Sequence, residues 1–310
     1  MAHLFVGAFA SSWTLKEACL IQICTQRRTG SNMHLTARPI KTKYWRPGED
    51  FLKIIFNSVS GCCEDGDFVV ISEKAISVAM GRIVDESNTR PGLMAKALAK
   101  VWMRLVWGRV LGPACHMSNK TLSRLRRYPI REGGAHKQIT LRFAGLRQSL
   151  LHYSEGGVDV TNLPYALAAL PLSNAEEIAV KVLRGFKEGC GKDVTVMITD
   201  TDKTYSLGRM HITPRPLTIE GIKSQGLLAL LVGRMFRWRA RATPLAVCGK
   251  SLDAEDALVV ADVADRARGY GAGRTVWDMT KRFHVGLTGV TWEMLDQVEH
   301  YPIVLVRRVE

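Results

Sequence analysis

Two carboxylates and a hydroxyl follow an apolar stretch of the sequence, and residues of these types could bind a metal ion. Residues 196–198 are apolar and predict a strand that ends at Asp200, after which come Thr201 and Asp202. Carboxylate and hydroxyl oxygens are hard ligands that suit Mg²⁺ or Mn²⁺. Ligands collect at the carboxyl ends of strands in open α/β sheets, so a divalent ion and a phosphorylated substrate are expected here. The alternative is a turn, because Asp and Thr side chains bond back to nearby backbone.

Two earlier segments contain polar residues that could act beside Asp200. Residues 65–83 read DGDFVVISEKAISVAMGRI, and residues 155–162 read EGGVDVTN. Within the second segment, Asp159 and Asn162 could be metal or nucleotide ligands. They could equally form an Asx-turn or a helix cap, since both residue types bond to nearby backbone.

In their order and spacing, these segments and the residues around Asp200 resemble the coenzyme F420-0:L-glutamate ligase family. That family adds glutamate by γ-linkage to the deazaflavin coenzyme F420, and the resemblance extends from about Arg38 to Arg308. It implies GTP-dependent amide formation from L-glutamate and F420-0, two divalent ions (Mn²⁺ or Mg²⁺) and an intertwined homodimer. The metal ions are expected on Asp159, Asp200 and Thr201. The nucleotide is expected on Ser72, Lys74, Ser77 and Asn162.

Three positions depart from the family's pattern. Val78 stands where the family has a nucleotide-binding lysine. Lys74 could replace that lysine if the segment is helical, because residues four apart share a helix face. The family's nucleotide loop would fall at residues 42–45, which differ from it in residue type. A metal-holding glutamine of the family would fall near Asp296 or Gln297.

The first functional hypothesis is therefore a metal- and GTP-dependent ligase that forms a γ-glutamyl amide on F420-0 through an acyl phosphate. A second keeps the fold and amidates a different carboxylate with a nucleotide. A third is a non-catalytic protein that binds nucleic acid through the basic residues 104–147. Glutamate-dependent phosphate release would favour the enzymes, whereas binding that weakens steeply with salt would favour the third hypothesis.

The composition indicates a globular protein with an excess of positive charge. Lys and Arg number 43 against 29 Asp and Glu, which gives a net charge of +14 and predicts polyanionic ligands. No stretch approaches the roughly 20 consecutive apolar residues that cross a bilayer, so we expect no membrane anchor. We expect a cytoplasmic location. The seven cysteines are scattered, without zinc-site spacing, which predicts reduced thiols.

Helices and strands are predicted without regular βαβ alternation, which favours an α+β fold with mixed sheets and packed helices. Helices are expected at 50–60, from Pro91 to Leu111, from a Ser173–Glu176 capping box to Gly191, at 253–267, after a Thr275–Asp278 capping box, and at 292–298. Strands are expected at 34–40, 68–71, 196–200 and 303–306. The apolar stripe of the second helix is predicted to be Leu93, Met94, Ala97, Leu98, Val101, Trp102 and Leu105.

Three parts of the chain are expected. Residues 1–32 differ in character from the rest and read as a disordered extension or a mis-assigned start before Met33. Residues 33–190 and 191–310 are expected to be the N-terminal and C-terminal parts of one ligase-like unit.

Overall fold

The computed structural model describes residues 21–23, 33–153 and 155–309 of the chain. Its strands are β1 (Ile21–Ile23), β2 (His34–Thr42), β3 (Phe68–Ser72), β4 (Ile83–Asp85), β5 (Leu167–Ala169), β6 (Thr195–Leu207), β7 (Met210–Thr213), β8 (Lys223–Ser224), β9 (Arg239–Cys248) and β10 (His300–Val309). Eight of them form a mixed sheet in the order β1-β2-β10-β3-β6-β7-β8, with β9 also paired to β6, while β4 and β5 form a separate antiparallel pair. Among the described strands, only the pairs β3–β6 and β7–β8 are parallel. The predicted α+β fold with mixed sheets and packed helices is confirmed.

The helices are α1 (Phe51–Val59), α2 (Glu73–Ala79), α3 (Leu93–Ala97), α4 (Gly112–Ala114), α5 (Asn119–Arg126), α6 (Ile130–Phe143), α7 (Leu146–Ser149), α8 (Ala175–Cys190), α9 (Leu227–Met235), α10 (Ala254–Arg268), α11 (Val276–Phe283) and α12 (Trp292–Asp296). A π-helical segment (Leu98–Leu111) joins α3 to α4, and a 3₁₀ turn (Glu86–Asn88) follows β4. Asp50, Asp253 and Thr275 cap α1, α10 and α11 through their side chains, and the cap at Thr275 is the one that the sequence predicts.

Helices cover both faces of the central sheet. Side chains alternate between the faces of a strand, so Val69 and Ile71 of β3 pack against α1 and α8, while Phe68 and Val70 pack against α10. All four are buried. A strand that is covered on both faces is apolar at every position, which explains the unbroken run that predicted β3.

The predicted strand end at Asp200 is wrong, because β6 continues to Leu207. Its pairing with β9 shifts from Asp200 opposite Thr243 to Lys203 opposite Ala242. Thr201 and Asp202 are therefore extra residues in β6, and they form a bulge. A bulge bends the strand and redirects its side chains, so polar turn-forming residues are accommodated here without ending the strand.

The predicted apolar stripe of the second helix is also wrong in most positions. Leu93 is 87% exposed, and Met94, Val101 and Leu105 are exposed as well. Leu98 is buried as predicted, and the other buried side chains are spaced by four: Ala95, Ala99, Met103 and Trp107. In a π-helix the hydrogen bonds span five residues, so each turn is wider than 3.6 residues and a different set of side chains faces the core. The Ser173–Glu176 capping box is wrong by one residue, since Asn174 precedes the first residue of α8 and its side chain makes no cap hydrogen bond.

The predicted three-part division of the chain stays a prediction. The central sheet contains strands from both sides of residue 190. Of residues 1–32, the structure describes 21–23, which form β1 and pair with β2; the rest of the predicted extension lies outside the described residues. Within the described ranges, no helix is long and apolar enough to span a bilayer.

Candidate active site

A polar cleft forms where β3 meets α2, beside the bulge of β6. Parallel pairing places Ser72, the last residue of β3, opposite Thr199, so Asp200 and Asp202 lie next to the first turn of α2. The chain segment before β5 closes the other side. We call this site the carboxylate cleft. It is lined by Glu73, Lys74, Ser77, Gly157, Asp159, Ala169, Leu170, Asp200 and Asp202.

Lys74 and Asp159 form an ion pair across the cleft. The Lys74 ammonium contacts Oδ2 of Asp159 and also donates to the carbonyl oxygen of Thr161 at 3.0 Å. Oδ1 of Asp159 accepts from the backbone N–H of Thr161 at 2.7 Å, which is the Asx-turn that was the alternative interpretation. Burial raises the pKa of Asp159, but Lys74 and the hydrogen bonds from Thr161 together lower it by more than burial raises it. The pKa of Asp159 therefore lies below its usual value. Asp159 is thus held as an anion and is paired with Lys74.

A buried arginine joins the other two carboxylates. Arg215, 1% exposed, donates through Nη2 to both oxygens of Glu73 at 2.8 and 3.0 Å, and its Nη1 lies 3.3 Å from Oδ2 of Asp200. Glu73 also accepts from the backbone N–H of Leu172 at 2.9 Å. Burial raises the pKa of Glu73 to about 7, with Arg215 lowering it and the charge of Asp200 raising it. Sequence reasoning missed Glu73, which lay inside the quoted segment 65–83, and Arg215, which no motif marks.

Gly157 makes room for that arginine. Its φ is +96°, and a Cβ at this position would lie 1.7 Å from Nη1 of Arg215. The second glycine of the segment 155–162 is thus required both for its backbone conformation and for the close approach of a side chain.

The predicted serines and threonine have different surroundings. Ser77 is 1% exposed and lines the cleft, and its hydroxyl has no hydrogen-bond partner among the described residues. Ser72 is half-buried at the start of α2 and does not cap the helix with its side chain. Thr201 is exposed on the bulge and is absent from the cleft lining. Val78 is buried in an apolar cluster with Leu163 and Ala169, and no cation stands at this position.

Asn162 holds a loop rather than facing the cleft. Its carboxamide accepts from the backbone N–H of Ala272 at 2.8 Å and donates to the carbonyl oxygens of Tyr270 and Gly273 at 3.2 and 3.3 Å. Both the oxygen and the nitrogen of the side-chain amide are therefore hydrogen-bonded to residues 270–273. Its contact with a nucleotide stays a prediction.

A second, wider groove lies beside residues 42–45, where the family's nucleotide loop was expected. It is lined by Lys41, Thr42, Lys43, Tyr44, Arg46, Glu49, Asp296 and Val298, and we call it the Lys43 groove. Asp296, one of two positions considered for a metal-holding side chain, contacts Arg46 at 2.6 Å in this groove. Its carboxylate thus lies outside the carboxylate cleft.

Several arginines between 104 and 147 serve the fold itself. Arg104 donates to the carbonyl oxygen of Tyr128 at 2.6 and 2.8 Å, and Arg126 donates to the carbonyl oxygen of Gly108 at 2.9 Å. Arg124 pairs with Asp278 at 2.9 Å. These three guanidinium groups therefore hold parts of the fold together, and the charge of Arg124 is matched by a carboxylate.

The carboxylate cleft fits a hard divalent cation by its chemistry. Its lining contains four carboxylates and one cation, Lys74, together with the unpartnered hydroxyl of Ser77. Oxygen donors with an excess of negative charge are what Mg²⁺ and Mn²⁺ prefer. In the described part of the chain, no three His, Cys, Asp or Glu side chains already stand together as a ligand set. Lys74 would have to leave Asp159 before an ion could bind there.

Two comparisons with known proteins bear on this cleft. A profile of the family described as F420-0:gamma-glutamyl ligase matches residues 39–266, a range that includes every residue that lines the cleft. An uncharacterized protein of Methanocaldococcus jannaschii is 34% identical over 286 residues, which cover 88% of this chain and 96% of that protein. The similarity thus extends over nearly the full length of that relative and beyond any single motif.

Proposed function

Because this chain belongs to the F420-0:gamma-glutamyl ligase family, we propose that it joins L-glutamate by a γ-glutamyl amide bond to F420-0 or a related carboxylate, with GTP and a divalent metal ion. The family is one of ligases, and the finer assignment goes beyond what membership establishes. The observation that carries the proposal is the carboxylate cleft, whose lining brings Asp159 and Asp200 together with the buried Ser77.

The chemistry of amide formation explains why such a cleft is useful. A carboxylate is a poor electrophile, so the acceptor is first phosphorylated, and the amine of glutamate then displaces phosphate from the acyl phosphate. Asp159 and Asp200 are the residues that would hold a divalent ion, which offsets the charge that phosphoryl transfer concentrates. Lys74, once released from Asp159, has the charge and the reach to contact a phosphate in the same cleft.

The Lys43 groove supports the nucleotide part of the proposal. It lies at the segment that corresponds to the family's nucleotide loop and offers Lys41, Lys43 and Arg46 to a polyanion. Among these, Lys41 pairs with Glu299 on the surface and Arg46 with Asp296. Exposed pairs of this kind are weak and easily exchanged for a phosphate.

Amidation of a different carboxylate is the second candidate, and Val78 favours it. The family's lysine is replaced by a side chain that packs among Leu163 and Ala169, so the cleft has one phosphate-facing cation fewer than the family pattern implies. A changed charge near the reacting phosphate is compatible with a changed acceptor. Both candidates share the acyl-phosphate chemistry and differ in the substrate.

The experiment is to incubate the purified chain with Mn²⁺, GTP, L-glutamate and F420-0 and to follow product mass and phosphate release. We expect a product heavier by one or more glutamyl residues and the release of one phosphate for each glutamyl residue added. Glutamate-dependent phosphate release with other carboxylates, but none with F420-0, would favour the second candidate. No phosphate release with any acceptor would contradict both.

A homodimer is a further part of the proposal and follows from the family resemblance. Leu93, Leu228 and Phe236 are large apolar side chains that are 87%, 63% and 70% exposed in the single chain. Light scattering on the purified protein should give twice the mass of one chain. A mass of one chain at micromolar concentration would contradict the dimer and leave the ligase assignment unaffected.

A further inference from the structure

The two cations that meet the cleft carboxylates differ in how freely they can move. The side chain of Lys74 is 24% exposed and ends a flexible four-carbon stem, so its ammonium can swing into solvent. Arg215 is 1% exposed and lies behind Glu73 and Asp200, outside the cleft lining. One of these cations can give way to a ligand, and the other cannot.

Arg215 is held from both its backbone and its side chain. Its carbonyl oxygen accepts from the hydroxyl of Ser224 at 2.6 Å, and its backbone N–H donates to the hydroxyl of Thr213 at 3.3 Å. The guanidinium donates to both oxygens of Glu73 and lies in the space that the missing side chain of Gly157 leaves. Moving it would leave Glu73 buried, and Asp200 half-buried, without their partner, and an unpaired buried charge is strongly destabilising.

The fixed position of Arg215 decides how much charge Asp200 can offer to a ligand. Oδ2 of Asp200 lies 3.3 Å from Nη1 of Arg215, and the side chain is only 15% exposed. Part of its negative charge is therefore matched permanently. The charge of Asp159 becomes available as soon as Lys74 leaves.

We propose that Arg215 is a built-in cation that takes the place of a second divalent ion, so that the carboxylate cleft binds one ion per chain, on the Asp159 side. The hydroxyl of Ser77 is an independent sign of a ligand in this cleft, because it is 1% exposed, lines the cleft and has no hydrogen-bond partner in the described ranges. This inference rests on the proposed function, for which the family resemblance implies two ions.

The test counts Mn²⁺ ions by electron paramagnetic resonance on the full chain, first with the metal alone and then with GTP added. We expect one bound ion per chain and the spectrum of an isolated ion. Two ions that share a site lie close together, roughly 4 Å apart, and would give a coupled spectrum. Two bound ions, or a coupled spectrum, would overturn the inference and leave the metal-dependent ligase intact. No bound ion with or without GTP would overturn both.

Two variants sharpen the count. Arg215→Met should raise the stoichiometry from one ion to two, because Glu73 and Asp200 then present unmatched carboxylates. Arg241→Met is the matched control, since Arg241 is also 1% exposed and paired with a carboxylate, but its partner Glu255 does not line the cleft, whereas Glu73 and Asp200 do. It should still bind one ion. If Arg215→Met folds and binds one ion, the built-in cation is refuted; if it does not fold, the stoichiometry of the unchanged protein decides.

Discussion

The replacement Gly157→Ala tests how tightly the cleft is built. A Cβ at this position would lie 1.7 Å from Nη1 of Arg215, 2.8 Å from Cζ of the same side chain and 2.9 Å from Cβ of Pro171. Contacts this short cannot be relieved by small shifts, because the guanidinium is already fixed by Glu73. We therefore expect the added methyl group to push Arg215 off its carboxylates.

Two effects contribute to the expected fall in the free energy of unfolding. A non-glycine residue at a positive φ costs about 1–2 kcal/mol, and the φ of Gly157 is +96°. Loss of one partner from a buried ion pair costs about 3–5 kcal/mol. The free energy of unfolding should therefore fall by roughly 4–7 kcal/mol, a large share of the roughly 5–15 kcal/mol that stabilises a typical protein.

Urea unfolding is the assay, with Gly208→Ala as the control. Gly208 has a φ of +56° in the turn between β6 and β7, and a Cβ there would meet nothing within 4 Å. This control carries the conformational cost alone, about 1–2 kcal/mol. If Gly157→Ala destabilises the protein no more than Gly208→Ala does, Arg215 can move away from Gly157 at little cost. Its position would then not be fixed, which would contradict the inference of a built-in cation.

Three further replacements test the buried charges and the cleft. Lys137→Met should lower the free energy of unfolding by about 3–5 kcal/mol, because it leaves a buried carboxylate without its partner. Lys137 and Glu155 are 0% and 1% exposed, and Nζ of Lys137 lies 2.6 Å from Oε1 of Glu155. The double variant with Glu155→Gln should recover most of that loss, as measured by urea unfolding. Burial lowers the pKa of His136, but Glu86 and Glu155 raise it from 6.5 to about 9, so its contribution to stability should be complete below pH 6.5 and lost as the pH rises through 9. His136→Gln should remove that pH dependence of unfolding, and an unchanged dependence would contradict the assignment. Lys74→Met should tighten Mn²⁺ binding roughly two- to tenfold, because it removes the cation that competes for Asp159, and should weaken GTP binding; calorimetry that shows neither change would contradict the displacement.

The neighbourhood of the site follows from patterns that a sequence displays. The unbroken apolar runs of β3 and β6 predict buried adjacent strands, and polar residues at or after such strands predict a shared cleft. Asp200 was identified in this way and Asp159 through the family resemblance of residues 155–162, and both line the cleft. Local helix caps such as Thr275 could also be predicted from the sequence, because the side chain and the backbone N–H that it binds are three residues apart.

What the sequence did not reveal depends on interactions between distant residues. Arg215 acquires its role from Glu73, 142 residues away, and from the conformation of Gly157, neither of which a local pattern encodes. The bulge at Thr201 was indistinguishable from a strand end, since turn-forming residues serve both. The π-helical segment changed which residues face the core, because the apolar spacing was read with an α-helical period.

The most direct test of the account compares the initial rate of F420-0- and glutamate-dependent phosphate release from GTP, with Mn²⁺, in the unchanged protein and in two variants. Asp159→Asn keeps the shape of the side chain but loses the charge, and should lower the rate by roughly 100-fold or more. Asp193→Asn changes an exposed carboxylate outside the cleft and should leave the rate unchanged. Equal rates for Asp159→Asn and the unchanged protein would contradict the central claim that the carboxylate cleft carries the reaction.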